Sequence, residues 1–517
     1  MKKRANRQKG ERRIAAALRI MLVAVLLVLQ VSFVVLLSRY LKQNASFVYM
    51  LLEICALGLV IHIHNRPGSQ TYKIGWVVSV LALPVIGCIL YFLWSGEIQF
   101  KRLAAKKTAS WDEPESVRMR SEMNRDKLAR DFPNWSRTAS YLERRGYHLF
   151  GNTKVTYFPE GELLLRAITE NIRRAEHFVF LEYFIVAEGE IWSQIESALC
   201  DCARRGVEVK VIFDDFGTIK RFRGETIEKL RAAGVEVVMF NPVHEYVNRL
   251  YFNYRDHRKI AVIDGNEAYT GGVNLADEYA NIIERFGYWK DTGVRLTGDG
   301  AWGLTRAFMT MWKSLSGGFD RDDDSYRPNE PEKAAGYCQT FIDGPNNSPD
   351  NPARGVYLQM IHSARRFLYI TTPYFIPDES VLHALCAAGD GGVDVRLMMP
   401  GIPDHWYADL VAESYFGELL RHGVKIYRYQ PGFLHAKSVM VDREAAFVGT
   451  VNMDYRSFEL HFECGTMLYG VPAIEELLED MDHVVADSRE VTLADWKKRG
   501  IFRRCFAPIL RLFAAWM

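Results

Sequence analysis

His257-Arg258-Lys259-Ile260-Ala261-Val262-Ile263-Asp264 and His435-Ala436-Lys437-Ser438-Val439-Met440-Val441-Asp442 are two copies of one pattern, His-x-Lys-x4-Asp. Six residues separate Asp264 from Gly271, Gly272 and then Asn274. The same interval separates Asp442 from Gly449, Thr450 and then Asn452. The repeat also extends upstream. The apolar run Phe178 to Ile185 matches Phe367 to Ile376, Val207 to Val211 matches Val393 to Leu397, and Gly234-Val235-Glu236-Val237 matches Gly423-Val424-Lys425-Ile426. Order and spacing are nearly preserved, which indicates an internal duplication.

In each copy His and Lys stand two apart, so both side chains leave one side of a strand. The Asp falls an odd number of residues later, where the strand ends or turns. Imidazole is nucleophilic and basic near neutrality, and lysine is a compact cation suited to phosphate oxygens. Two copies packed about a pseudo-twofold axis bring two His and two Lys to one phosphate. One histidine can then attack phosphorus while the other protonates the leaving oxygen, with Asn274 and Asn452 as neutral donors to the developing charge. A single His-x-Lys carries almost no signal; two copies with a Gly-x-Asn tail at one offset carry a strong one.

The chain has 517 residues, which is more than one core and predicts at least two folded units. From Gly151 onward, runs rich in Val, Ile and Phe alternate with helical stretches such as Glu162 to Arg174 and Glu190 to Arg205. The strand-like runs are Phe178 to Val186, Val207 to Asp214, Val235 to Asn241 and Lys259 to Asp264. This alternation predicts an α/β fold. The expected organisation is a membrane anchor over 1–96, a charged connector over 97–150 and a first lobe over 151–315. A Gly-, Asp- and Pro-rich linker over 316–336, a second lobe over 337–490 and a basic amphipathic tail over 491–517 follow.

Seven basic residues, Lys2 to Arg13, precede an uncharged run of eighteen, Ile20 to Leu37. Two further apolar stretches follow, Phe47 to Ile63 with Glu53 inside it, and Ile74 to Trp94 with Pro84 and Gly87. We read three transmembrane helices. No small-residue cleavage site follows the first run, which argues against a signal peptide. The positive-inside rule conflicts with three spans, because Lys101, Arg102, Lys106 and Lys107 crowd the far end as the N-terminal basic residues crowd the near one. The tail mixes Lys497, Lys498, Arg499, Arg503, Arg504 and Arg511 with Phe502, Phe506, Ile509, Leu512 and Trp516. It suits a bilayer surface or a docking helix equally.

Basic and acidic residues nearly balance, 65 against 63, and no basic stripe is interleaved with aromatics, so no nucleic-acid partner is expected. Eight cysteines show only a lone Cys200-x-Cys202, so neither structural zinc nor a disulfide framework is expected. His62 and His64 flank the second apolar run as interfacial residues. The Asp404-His405-Trp406 turn reads equally as a headgroup entrance or an ordinary loop.

The motifs around the triplets are Asp256-His257-Arg258-Lys259-Ile260, Tyr269-Thr270-Gly271-Gly272 and Tyr288-Trp289-Lys290-Asp291-Thr292. They continue with Thr372-Pro373-Tyr374-Phe375-Ile376-Pro377-Asp378-Glu379, with Gly432-Phe433-Leu434-His435-Ala436-Lys437, and with the run from Gly449 to Phe458. With these the chain resembles the phospholipase D superfamily and, more narrowly, bacterial cardiolipin synthases of the two-phosphatidylglycerol type. The resemblance runs from about Phe47 to the C-terminus. It implies N-terminal transmembrane helices followed by two duplicated phospholipase D-like α/β lobes about a pseudo-twofold axis, in a multi-pass protein of the bacterial cell membrane. It also implies transfer of a phosphatidyl group from one phosphatidylglycerol to the headgroup hydroxyl of another, giving cardiolipin and glycerol with no metal or other cofactor.

Carried onto this sequence, the resemblance makes His257 the phosphohistidine nucleophile and His435 the general acid and base. Lys259, Lys437, Asn274 and Asn452 then hold the phosphate, and Asp264 and Asp442 order the motifs. Glu182, Asp291, Ser457 and Glu463 are candidates to orient the imidazoles. Three positions depart from the family pattern: Asp256 for a common Asn, Gly293 for a common His, and His461 for the usual Asn. A hydrolytic phospholipase D or a phosphatidylserine synthase would use the same residues. An inactive membrane scaffold would be marked by loss of a triplet residue, and none is lost.

Overall fold

The structure is a computed structural model that describes residue 32 and residues 45–66, 70–94, 113–218, 221–222, 224–242, 254–319, 321–345 and 351–514. Apart from residue 32, the expected span Ile20 to Leu37 lies outside these residues. So do the basic residues Lys2 to Arg13 and Lys101 to Lys107.

Alternation of apolar strand and amphipathic helix builds two sheets, one from each half of the chain. The first comprises β1 (Thr153–Phe158), β2 (Phe178–Tyr183), β3 (Glu208–Asp214), β4 (Glu236–Phe240), β5 (Lys259–Ile263) and β6 (Glu267–Gly271). After the short β7 (Tyr288–Lys290), the strand β8 (Gly293–Gly298) completes it. Its spatial order is β1-β8-β6-β5-β2-β3-β4. The second half contributes β9 (Tyr337–Asp343), β10 (Phe367–Thr371), the two-residue β11 (Phe375–Ile376), β12 (Asp394–Pro400) and β13 (Lys425–Tyr429). It goes on with β14 (Gly432–Leu434), β15 (Ser438–Val441), β16 (Ala445–Gly449), β17 (Met453–Asp454), β18 (Glu463–Tyr469) and β19 (Ser488–Val491).

The second sheet has the order β19-β13-β12-β10-β15-β16-β18-β9. Without the edge strand β19 and read from the other end, it repeats the first sheet strand for strand. In both, the middle strand (β2 or β10) pairs parallel with its crossover neighbour (β3 or β12) and antiparallel with the strand that carries the motif lysine region (β5 or β15). The duplication read in the sequence is therefore a duplication of topology, and the α/β class holds.

The central strands are buried on both faces, which explains their unbroken apolar runs. Helices Gly161–Arg174 and Glu190–Arg204 cover the outer face of the first sheet. Helices Pro352–Ser363, Glu379–Asp390 and Trp406–Arg421 cover the second. One shared core joins the inner faces, with Phe180, Ile260 and Val262 from one sheet and Met398, Met440 and Val448 from the other, together with helices Ala301–Ser316 and Ala473–Ala486.

The described residues include two of the three expected membrane segments. Among the described residues, no helix is long and apolar enough to cross a membrane. The second apolar run forms the helix Ala45–Asn65, interrupted by the exposed Glu53 and ending in His62 and His64. The third run is not one helix but two, Gln70–Ala82 and Pro84–Trp94. Proline lacks the N–H that would continue the ladder and crowds the preceding turn, so the helix stops at Ala82.

Candidate active site

Both motif histidines lie just before a buried strand, and each reaches across to the other lobe. The His257 backbone N–H donates to the Phe462 carbonyl at 2.9 Å, and the His435 N–H donates to the Lys290 carbonyl at 2.7 Å. These bonds extend the bridge Asp256–Phe462 and the parallel pair β14–β7. Each histidine is thereby placed beside a carboxylate from the opposite half. His257 Nδ1 lies 3.0 Å from both Glu463 oxygens, and His435 Nδ1 lies 2.6 Å from Asp291 Oδ2. With Nδ1 engaged, Nε2 of each ring is left for chemistry.

The lysines share the same local device. Lys259 Nζ donates to the His257 carbonyl at 2.7 Å, and Lys437 Nζ donates to the His435 carbonyl. Burial pushes the Lys259 amine down to about 8, against the pull of Glu463 and Asp291. Burial, opposed by Asp291 and aided by Lys259, pushes Lys437 down to about 7. Both cations are short of partners for a buried charge, and an anionic phosphodiester would supply one.

The two imidazole–carboxylate pairs differ. Burial alone would raise the Asp291 carboxyl, but the charges of His435 and Lys437, with hydrogen bonds from His435 and the Thr292 N–H, hold it below the ordinary range. Glu463 goes the other way: burial raises it well above the usual value despite Lys259 and Thr450. Burial lowers His435 to about 4, with Lys437 adding to the effect and Asp291 opposing it. Burial also lowers His257 well below the ordinary range, with Lys259 and His461 assisting.

Local sequence explains the difference in carboxylate length. A Cβ on Gly272 would lie 2.0 Å from Asp291 Oδ1, so a short aspartate reaches His435 only because that position is glycine. Its counterpart Thr450 has a side chain; there the carboxylate is the longer Glu463, and the Thr450 hydroxyl donates to Glu463 Oε2.

The remaining candidates fall into place one by one. Asp264 and Asp442 close each motif with φ near +51° and +53°. Their carboxylates accept backbone N–H groups at the start of the neighbouring strand, from Glu176, His177 and Phe178 in one lobe and Arg365, Arg366 and Phe367 in the other. Asn274 accepts from the Ile185 N–H and donates to the Tyr279 hydroxyl at 2.7 Å. Asn452 keeps a buried Oδ1 without a hydrogen-bond partner, and its backbone N–H donates to the Ser457 hydroxyl. Ser457 also hydrogen-bonds Glu463. Glu182 does not meet an imidazole: its carboxylate faces the Arg258 guanidinium at 3.5 Å and shares a hydrogen bond with Asp256.

Aromatic rings wall the site. Phe184 stands edge-on to His257 at 5.1 Å, and Tyr279, Trp289 and Phe433 surround His435 at 5.4 to 5.5 Å. Sequence reasoning named none of these as site residues, although Phe184, Trp289 and Phe433 stand in motifs it quoted. His461 is the other addition. Its ring lies 5.5 Å from His257, and its Nδ1 lies 3.8 Å from Glu463 Oε1 with no hydrogen-bond partner. Donor atoms of His257, His461 and Glu463 lie within 4.8 Å of one another, as in a metal site. Arg456 Nε, however, donates to His461 Nε2 at 3.2 Å, which leaves the ring proton on Nδ1. That atom is a donor facing a carboxylate rather than a lone pair facing a cation.

Paired lobes with crossed imidazole–carboxylate contacts define the class of protein, and sequence comparison names the family. The chain matches the family described as "Cardiolipin synthase, PLD-like domain" over residues 168–282 and 357–485, and "Phospholipase D-nuclease N-terminal" over 52–96. It is 35% identical to cardiolipin synthase 2 of Bacillus anthracis over 461 residues, 89% of this chain and 89% of that protein. It is 34% identical to the cardiolipin synthase of Geobacillus kaustophilus, covering 92% of this chain and 94% of that one. The crystal structure of phosphatidylserine synthase from Haemophilus influenzae shares the fold, with a TM-score of 0.54 at 14% identity over 73% of this chain and 96% of that one. The protein belongs to the cardiolipin synthase family of phospholipase D-like enzymes.

Proposed function

We propose that the protein is a cardiolipin synthase that transfers a phosphatidyl group from one phosphatidylglycerol to another, releasing glycerol. The observation that carries this reading is the crossed pair of imidazoles, His257 on Glu463 and His435 on Asp291, with Lys259 and Lys437 beside them. Burial holds His435 neutral in the empty site, at about 4; the anionic phosphodiester, added to the ionised Asp291 carboxylate, draws a proton onto the ring, so His435 protonates the departing glycerol oxygen. Glu463 is a weaker counter-charge, so His257 stays neutral and its Nε2 attacks phosphorus. The phosphorus–glycerol oxygen bond breaks as the nitrogen–phosphorus bond forms, leaving phosphatidyl-His257 and neutral His435. In the second half His435 takes the proton of the incoming hydroxyl, whose oxygen displaces Nε2 and regenerates the enzyme. The two lysines hold the phosphate, with Asn274 and Asn452 bordering it. The aromatic wall limits water as a competing acceptor and so favours transfer over hydrolysis.

We assign the chain to the cell membrane as a multi-pass protein. Exposed Phe47, Met50, Leu51, Ile54, Leu57 and Ile61 on the helix Ala45–Asn65 support this. So does the C-terminal helix Ile501–Arg511, which docks on Trp406–Arg421 and exposes Ile501, Phe502 and Ile509 beside Arg503 and Arg504. The test is to incubate purified protein with phosphatidylglycerol vesicles in the presence of chelator, assaying cardiolipin and glycerol. Equimolar appearance of both is the expected result; phosphatidic acid in place of cardiolipin would make the protein a hydrolase.

A further inference from the structure

The third apolar run reverses direction, and its geometry fixes where. Trp76 and Tyr91 meet edge-to-face at 5.4 Å, and a Cβ on Gly87 would lie 2.3 Å from the Ser79 carbonyl oxygen. Each pair is centred on Leu83 and Pro84. Residues eight apart in a continuous helix stand roughly 12 Å apart along the axis, so this contact requires the chain to fold back. Glycine is needed at 87 because the helices touch there through backbone. The arms, of 13 and 11 residues, are roughly 20 and 17 Å long, well short of the ~30 Å hydrocarbon core.

The hairpin is apolar outward and anchored at its base. Ile74, Leu81, Ile89 and Phe92 are exposed along the arms, and no charged side chain lies between Lys73 and Trp94. At the base, Tyr72 stacks on Tyr455 at 5.4 Å with the rings 10° from parallel, and Lys73 Nζ donates to the His64 carbonyl at 3.1 Å. Tyr455 stands three residues after Asn452, so the hairpin is seated beside the second motif.

We infer that Gln70–Trp94 is a re-entrant hairpin that enters one leaflet of a lipid bilayer and returns to the side it left. An apolar segment too short to cross, with its polar contacts at one end, is satisfied by half a bilayer and by nothing deeper. Both ends of the hairpin then lie on the face that carries the catalytic lobes. The inference extends the proposed membrane assignment but is tested without turnover.

The test uses the full chain in sealed, uniformly oriented membrane vesicles, with Cys55, Cys88 and Cys505 replaced by Ser. Single cysteines are introduced as Gln70→Cys, Ala82→Cys and Glu115→Cys and probed with a membrane-impermeant maleimide. Labelling of positions 70 and 115 from the same side, with position 82 protected from both, is the expected result. Labelling of 70 and 115 from opposite sides would overturn the hairpin in favour of a span, and free labelling of 82 would overturn insertion. Asn65→Cys and Ser116→Cys repeat the two outer positions should either first choice fail to accumulate. The product assay above reads the synthase function separately, so an inactive but correctly labelled protein would count against that function and leave the hairpin standing.

Discussion

At the scale of single residues, the site rests on small differences between two nearly identical halves. Lys437, pushed down to about 7, is half charged near neutrality in the empty enzyme. Loss of its proton removes a cation from the phosphate site, so kcat/KM for phosphatidylglycerol should fall as pH rises through about 7. Lys437→Arg, which stays charged, should flatten that limb while lowering the rate through its different shape. A pH–rate profile of both enzymes checks this, and an unchanged limb in the variant would contradict it. His461 supplies a second case. Its Nδ1–H faces Glu463, so the variant that keeps an amide donor at that place, His461→Asn, should turn over close to the parent rate. His461→Leu, which removes that N–H without breaking a formed hydrogen bond, should lose less than about tenfold, the value of one formed hydrogen bond to a charged group. The triplets are legible because they repeat. The sequence could not show that each carboxylate crosses to the other lobe's histidine, because those pairs are 206 and 144 positions apart. Nor could it show Glu182 turning to Arg258, since its strand places it in the buried ladder opposite Ile260.

At the scale of elements, glycine and aspartate do the positioning. Gly272→Ala would push Asp291 off His435, and turnover should drop on the order of 100-fold, the lower range for a lost proton-transfer group, while the chain still folds. Circular dichroism beside the product assay separates the two effects. Asp264→Ala leaves three backbone donors at the start of β2 without their acceptor. It should destabilise the first lobe by about 1–3 kcal/mol, read as a lower thermal unfolding midpoint. Strand and helix order was legible because buried parallel strands read as unbroken apolar runs and their covering helices as amphipathic ones. The expected strands Phe178 to Val186 and Val207 to Asp214 overlap β2 and β3 to within a few residues. The third apolar run is two helices, and composition alone does not distinguish one long helix from two short ones. Pro84 and Gly87 carried that information, the first by ending a helix and the second by admitting a backbone contact.

At the scale of the whole molecule, neither lobe holds a complete site. His257 takes its carboxylate from the second half and His435 takes its own from the first, so the duplication yields one active site rather than two. The hairpin base stacks on Tyr455 beside that site, which brings the lipid-facing part of the chain to where a phospholipid headgroup must arrive. The most direct test of this account is a rapid-quench experiment with phosphatidylglycerol labelled at its phosphorus, stopped in alkaline denaturant and mapped by peptide. Label on the peptide containing His257, chased into cardiolipin by unlabelled phosphatidylglycerol and missing in His257→Ala, is the predicted result. Label on His435, or cardiolipin formed with no labelled histidine at any time point, would contradict it.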